Sequence, residues 1–213
     1  MGHIRTHDNT VASLLSRYPL ISNQVSKEQV RTILTELEKV ITTGVEGGVV
    51  EFGCYIGTTS LFVRRLLDSH GQDREFHVYD SFAGLPPKST WDASVTGEAF
   101  TAGQLSISKK AFLHEFQKAH LKPPVVHKGW FSDLTPVDVP KKIAFAFLDG
   151  DFYDSIRDSL RLVLPRMSRG GVLVIDDYAR EALPGVARAV HEFLPANQGH
   201  TIHNLGVFTL PSA

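Results

Sequence analysis

Four aspartates carry most of the chemical information in this chain: Asp149 and Asp151 in the run FAFLDGDFYDS, and Asp176 and Asp177 in VLVIDDY. Each pair follows a short uncharged apolar run, which is how a buried parallel strand reads as it reaches its C-terminal end, so all four carboxylates are expected on one edge of one sheet. Left unpaired there, they would repel one another and lose hydration. A bound hard cation such as Mg²⁺, or protonation of one member, would relieve that cost. Two vicinal oxygens held on such a cation would give up a proton more readily, and a nearby carboxylate outside the coordination shell could accept it. Asp149 and Asp151 are two apart and share a face in extended backbone, while Gly150 permits a bend that separates ligand from base.

The second signal is a glycine turn. An apolar strand, Val49–Phe52, runs into Gly53-Cys54-Tyr55-Ile56-Gly57, and a helix opens at Thr58 or Thr59. Such a turn lets backbone approach a ligand closely and presents the free N–H groups of the helix start. A dinucleotide fingerprint would read G-x-G-x-x-G, whereas Glu51, Gly53 and Gly57 give E-x-G-x-x-x-G. That spacing suits an adenosylmethionine-binding loop better than one built to hold a pyrophosphate. The plain alternative is a strand-to-helix corner that needs positive φ. Asp80, at the end of the second predicted strand, is placed to receive two hydrogen bonds from a ribose diol; as a bland alternative it caps a turn.

These residues need a sheet to bring them together, and the chain alternates accordingly between helical and strand periodicity, as βαβ units do. Ser26 and Gln29 form a capping box for a helix carrying Val30, Ile33, Leu34, Leu37 and Ile41 on one stripe. Strands are expected at Val49–Phe52, Phe76–Tyr79, Val125–Lys128, Ile143–Leu148 and Val172–Ile175. Helices are expected from Thr58 to about Leu67, Ser108 to Ala119, Ser155 to Met167 and Val186 to Phe193. His200–His203 and Gly206–Leu210 read as an antiparallel hairpin at the sheet edge. The stretch from Phe82 to Gly103 has glycines and prolines without sustained periodicity, the signature of an active-site lid or flap. The whole reads as a single domain over 1–213, with an N-terminal helical segment over 1–45.

Composition narrows the function classes. The 213 residues include 22 basic and 23 acidic side chains, for a net charge of −1, and no dense Lys/Arg run, so a nucleic-acid partner is not expected. One cysteine, Cys54, excludes an intrachain disulfide. No apolar run is long enough to span a bilayer, and a cytoplasmic protein without a signal peptide is expected.

Five blocks in order carry a resemblance: Glu51-Phe52-Gly53-Cys54-Tyr55-Ile56-Gly57, Tyr79-Asp80-Ser81-Phe82-Ala83-Gly84-Leu85-Pro86, Lys128-Gly129-Trp130-Phe131, Leu148-Asp149-Gly150-Asp151-Phe152-Tyr153-Asp154-Ser155 and Ile175-Asp176-Asp177-Tyr178. Together, from about residue 48 to 194, the chain resembles the macrocin O-methyltransferase family. The resemblance implies a class I methyltransferase fold, a Rossmann-like sandwich on a mostly parallel seven-stranded sheet ending in an antiparallel hairpin. It implies adenosylmethionine as methyl donor, Mg²⁺, and a hydroxyl of a vicinal diol, typically on a sugar of an antibiotic, as acceptor. Carried over by position, Asp149, Asp176 and Asp177 become metal ligands and Asp151 the general base. Glu51, Gly53, Tyr55, Gly57, Thr58, Asp80, Ser81, Gly129, Trp130, Phe131 and Asp149 become cofactor residues.

Other residues read more plainly. Trp130 and Phe131 could be core rather than adenine-facing, Asp154 a helix N-cap, and Cys54 a small packing residue. The ten histidines form no metal-ligand spacing on a predicted helix. Lys109, Lys110, Lys141 and Lys142 read as solvated flanks. Leu14, Leu15 and Ile21 are expected across a dimer interface. A catechol-type methyltransferase, a non-catalytic adenosylmethionine- or nucleotide-binding module and a nicotinamide oxidoreductase are the rival functions, the last disfavoured by the glycine spacing.

Overall fold

The computed structural model describes residues 10–98, 100–195 and 198–211. Seven strands form one sheet: β1 (Gly48–Phe52), β2 (Phe76–Asp80), β3 (Val125–Lys128), β4 (Ile143–Leu148), β5 (Met167–Ile175), β6 (Gly199–Ile202) and β7 (Leu205–Thr209). Their spatial order is β3-β2-β1-β4-β5-β7-β6. The first five run parallel, β7 is antiparallel to β5, and β6 pairs antiparallel with β7. The central strands β1 and β4 are buried along their whole length, as expected of unbroken apolar runs in a parallel sheet covered on both faces.

Helices α1 (Thr10–Arg17), α2 (Lys27–Thr42), α3 (Thr58–Ser69) and α4 (Lys109–Lys118) contribute to the core on one face, around Leu37, Phe62, Phe112 and Phe145. Helices α5 (Tyr153–Val163) and α6 (Pro184–His191) cover the other, around Phe52, Leu160 and Val186. The capping box at α2 is present in both directions, Gln29 N–H donating to Ser26 Oγ and Ser26 N–H to Gln29 Oε1. Leu15 is buried in the first core, and Leu14 and Ile21 pack against it. Of the three side chains proposed for a dimer interface, Leu15 is therefore used inside the chain, while Leu14 and Ile21 stay partly exposed.

Three other expectations need adjusting. Helix α5 begins at Tyr153 and gives way to a 3₁₀ turn at Leu164–Arg166, where Pro165 cannot continue the α-helical hydrogen bonds. Strand β5 begins at Met167, five residues before the apolar run, because Met167 pairs with Ile143 across a register shift. Asp154 is not the cap of α5: the N-cap is Phe152, and Asp154 sits in the first turn, ion-paired to Arg157 at 2.7 Å.

The stretch from Phe82 to Gly103 is a tied loop. Its neck is closed by Leu85 N–H donating to Gln104 O and Gly103 N–H to Leu85 O. Its middle is plugged into the protein by Asp92, which is fully buried and accepts from Ser89 N–H, Ser89 Oγ and Tyr153 N–H. That last bond satisfies one of the free N–H groups of α5, whose own N-cap residue supplies no side-chain acceptor. On the solvent side, Arg188 stacks over Trp91 with its guanidinium carbon 3.4 Å from the ring centroid.

Candidate active site

Every exit from the parallel strands is hydrogen-bonded to its neighbour. Gly53 N–H donates to Tyr79 O, Asp149 N–H to Phe52 O, Asp176 N–H to Leu148 O and Gly129 N–H to Asp80 O. The ladder thus runs past the strands themselves and fixes where each loop departs. Gly53 is obligatory at this point: φ is +86°, and an added Cβ would stand 1.9 Å from the carbonyl oxygen of Asp149. Four non-glycine residues adopt left-handed backbone at the same edge, one after each of β1, β2, β4 and β5: Tyr55, Phe82, Asp151 and Asp177. Such conformations are sparsely populated and gather at functional sites.

The loops enclose one pocket whose wall includes Gly53, Cys54, Tyr55, Asp80, Ser81, Trp130, Phe131, Asp149, Asp151, Asp176 and Asp177. Gln24, Gly84, Leu85, Pro86, Phe100, Leu105, Gly150, Ser155 and Arg180 complete it. Most of the anticipated residues therefore meet in one place. Glu51, Gly57, Thr58 and Gly129 are not on the wall. Glu51 is buried, accepts from Ser60 Oγ and, through desolvation, has its pKa raised to about 8. Gly57 forms the αL start of α3, and a Cβ there would press on the Phe112 ring. Thr58 Oγ1 shares a 2.8 Å hydrogen bond with Ser22. These residues support the turn from behind.

Asp80 does what the bland reading expects, and keeps capacity for more. Its Oδ2 accepts from Cys54 N–H and Tyr55 N–H and its Oδ1 from Phe82 N–H at 2.7 Å, so it caps both the glycine turn and its own loop. A carboxylate has about four acceptor positions, which leaves room for a ligand hydroxyl from the pocket side. Phe131 lines the pocket and also packs into the core, meeting Phe52 edge-on at 5.2 Å between ring centroids. Trp130 is the more exposed partner. Cys54 is buried, its Sγ contacts Tyr55 O, and burial pushes its pKa well up, which keeps it a packing thiol.

The four aspartates behave differently. Burial, followed by the charges of Asp176, Asp151 and Asp177, raises the pKa of Asp149 far above the carboxylate range. Desolvation and the charges of Asp177 and Asp176 push Asp151 up to about 8. Desolvation and the charge of Asp177 raise Asp176 to about 7, and burial also raises Asp177, against the pull of Arg180. Among the described residues, no hydrogen bond reaches the side chain of Asp149 or Asp151. Asp176 Oδ1 accepts from Gln29 Nε2–H and Asp177 N–H, each at 2.9 Å. Asp177 is paired with Arg180 at 3.0 Å, and the Arg180 guanidinium in turn lies 5.0 Å from the Phe100 ring of the tied loop.

As a donor set this is a match for a hard divalent cation: all-oxygen, buried, and carrying more negative charge than the fold neutralises. Among the described residues no three acidic, histidine or cysteine side chains are drawn together as a closed metal cage. Asp177 faces Arg180 instead, so a cation taking Asp177 would displace that pairing. Gln24, Gln29, Leu105 and Arg180 are residues that sequence reasoning did not place at the site, whereas Phe100 lies in the stretch expected as a lid and Ser155 ends one of the resemblance blocks. Only Gln29 carried a sequence signal, and that signal pointed to helix capping.

Three comparisons bear on this arrangement. The sequence model of the macrocin-O-methyltransferase (TylF) family matches residues 16–205. The 8-demethyl-8-(2,3-dimethoxy-α-L-rhamnosyl)-tetracenomycin-C 4′-O-methyltransferase of Streptomyces olivaceus is 35% identical over 163 residues, 74% of this chain and 61% of that protein. The mycinamicin III 3″-O-methyltransferase of Micromonospora griseorubida is 30% identical over 185 residues, 83% of this chain and 72% of that protein. The chain thus spans about three fifths of the first relative's length. In three dimensions it is similar to the O-methyltransferase NovP, with a TM-score of 0.77, 26% identity, and coverage of 88% of this chain and 81% of that one. The class I methyltransferase sandwich expected from the sequence is the fold found.

Proposed function

Because the chain belongs to the macrocin O-methyltransferase family, we propose that it methylates a sugar hydroxyl, next to a second oxygen, on an antibiotic or related secondary metabolite, with adenosylmethionine as donor and Mg²⁺ as metal. The observation that carries this reading is the meeting in one pocket of the glycine turn, Asp80, Trp130 and Phe131 on one side and four aspartates on the other. The similarity to glycoside O-methyltransferases of antibiotic biosynthesis supports the acceptor class. The acceptor is a small molecule. No helix of the described residues is long and apolar enough to cross a membrane, which agrees with a cytoplasmic enzyme. A homo-oligomer belongs to the same reading, with Leu14 and Ile21, which stay partly exposed, available to an interface and Leu15 buried within the chain.

Asp80 would receive the ribose hydroxyls at its remaining acceptor positions, with Tyr55 and Ser81 beside it and Trp130 and Phe131 along the adenine. Gly53 lets the exits of β1 and β4 approach each other closely, and the donor would lie against that edge. Bound there, adenosylmethionine supplies an electrophilic methyl group on a sulfonium. Asp149, Asp176 and Asp177 would hold the divalent cation, which would lower the proton affinity of the acceptor hydroxyl. Asp151 takes the hydroxyl proton as the new O–CH₃ bond forms and the S–CH₃ bond breaks, leaving adenosylhomocysteine. The tied loop, through Phe100, with Leu105 just past its neck, lids the acceptor side and excludes water, so that acceleration comes chiefly from alignment of oxygen, methyl carbon and sulfur.

The test is calorimetric titration of adenosylhomocysteine and Mg²⁺, with and without EDTA, on the wild type and on an Asp176→Asn, Asp177→Asn double variant, followed by methyl transfer from labelled donor to a panel of glycosides. Cofactor binding by both proteins with Mg²⁺ binding by the wild type alone is expected. Failure of adenosylhomocysteine to bind would overturn the reading.

A further inference from the structure

The residue that holds Asp176 comes from the far end of the chain. Gln29, in the first turn of α2, donates from Nε2 to Asp176 Oδ1 at 2.9 Å, across 147 positions of sequence. Its other amide atom is committed: Oε1 accepts from Ser26 N–H at 2.9 Å, the return half of the capping box. An amide whose oxygen must accept from a backbone N–H can only turn its NH₂ group the other way. The capping box therefore fixes the orientation of the Gln29 amide, and the amide fixes the carboxylate.

The consequence for Asp176 is asymmetric. Oδ1 is filled by two donors, Gln29 Nε2–H and Asp177 N–H, while among the described residues no protein donor reaches Oδ2. One oxygen is thus tied back and the other is left for the pocket. The same segment touches the site twice more: Gln24 lines the pocket, and Ser22 bonds Thr58 at the start of α3. From this geometry we infer that Gln29 is a positioning residue, which presents Asp176 Oδ2 to the divalent cation and makes the N-terminal helix part of the metal site. The inference rests on the proposed metal-dependent reading.

Partners that orient metal ligands typically contribute about 10–100-fold in affinity. The test uses Mn²⁺ as probe, following the electron paramagnetic resonance of free and bound ion in wild type, Gln29→Met, Gln29→Glu and Ser26→Ala. Gln29→Met loses the return half of the capping box and the Asp176 bond but keeps the backbone bond to Ser26 Oγ, and a roughly tenfold weaker Mn²⁺ affinity is expected. Gln29→Glu keeps the reciprocal cap, since glutamate serves that position equally, but removes the amide donor. Its bound-Mn²⁺ spectrum should differ from wild type even if the methionine variant is too unstable to measure. Ser26→Ala weakens the cap alone and should bind within twofold of wild type. Equal affinity and spectra in all four proteins would overturn the inference while leaving the metal reading intact, and a loss in Ser26→Ala equal to that in Gln29→Met would reduce Gln29 to a helix cap. If the wild type bound no Mn²⁺, the metal reading itself would fail and take the inference with it.

Discussion

Asp80 and the aspartates after β4 stand on the same sheet edge and face the same pocket, yet the fold treats them in opposite ways. Asp80 is finished: three backbone N–H groups converge on it. Asp92 in the tied loop is finished in the same manner, by three donors at full burial. Asp149 and Asp151 receive no such bonds among the described residues, and burial with mutual repulsion keeps their protons on well above the ordinary carboxylate range. The difference separates acids whose position the backbone fixes before any ligand arrives from acids left for a ligand to complete. Burial without donors holds such a group in its protonated form, and a bound cation would supply the missing partner.

The comparison can be broken most sharply at Asp151. Its replacement by Asn should lower kcat by about 10²–10⁴-fold, the range for loss of a positioned base, with adenosylhomocysteine affinity unchanged in a titration. A loss in cofactor affinity instead would move Asp151 to the Asp80 side of the division. Asp80→Ala should act on stability, since it strands three backbone donors; a cost of about 2–3 kcal/mol is expected in denaturant unfolding.

The pH dependence of the metal-free protein sharpens the contrast. With Asp151 at about 8 and Asp176 at about 7 in the folded state, the native protein retains protons that the unfolded chain has released at ordinary carboxylate values near ~4. Stability therefore falls as pH rises through that window and is greatest on its acid side. Calorimetric melting of EDTA-treated protein should show Tm declining from pH 5 to pH 8, and Mg²⁺ should flatten the decline. In the same buffers Asp149→Asn should raise the metal-free Tm at pH 8, the reverse of Asp80→Ala.

The smallest effect is expected at Arg180. Its ion pair with Asp177 joins a half-exposed guanidinium to a buried carboxylate, with side-chain exposures of 44% and 7%, and such pairs contribute up to ~1 kcal/mol. Arg180→Met should remove a competitor for Asp177 and tighten Mn²⁺ binding by up to about fivefold. Weaker binding would show that Arg180 assists the ion.

Much of this was legible in the sequence because it is local. Short apolar runs marked the five parallel strands, the acids after β2, β4 and β5 marked the site edge, and Ser26 with Gln29 marked the start of α2. What was hidden is non-local. The start of α5 was misplaced because its free N–H group is capped by Asp92, 61 positions earlier in the chain. The early residues of β5 read as a turn, since Arg169-Gly170-Gly171 lacks strand character, and only pairing with β4 makes them strand. Gln29 was seen and underestimated: a complete local explanation concealed a second bond made across the molecule. Arg180 reaches the site by pairing with Asp177, which no local pattern marks, and Phe100 through the tied loop, which has no periodicity to read.

The tied loop also bears on how specificity could be altered. Its two ends are zipped at Leu85 and Gly103–Gln104, so the chain enters and leaves at one point, and the sheet beneath does not depend on what is strung between. It behaves as a cassette. A foreign loop of different length could be grafted above that neck to reshape the acceptor wall, provided it carried an aspartate to replace Asp92 as the plug over α5. The buried carboxylate over α5, with the Arg188–Trp91 and Arg180–Phe100 contacts beside it, would set which loops this scaffold accepts.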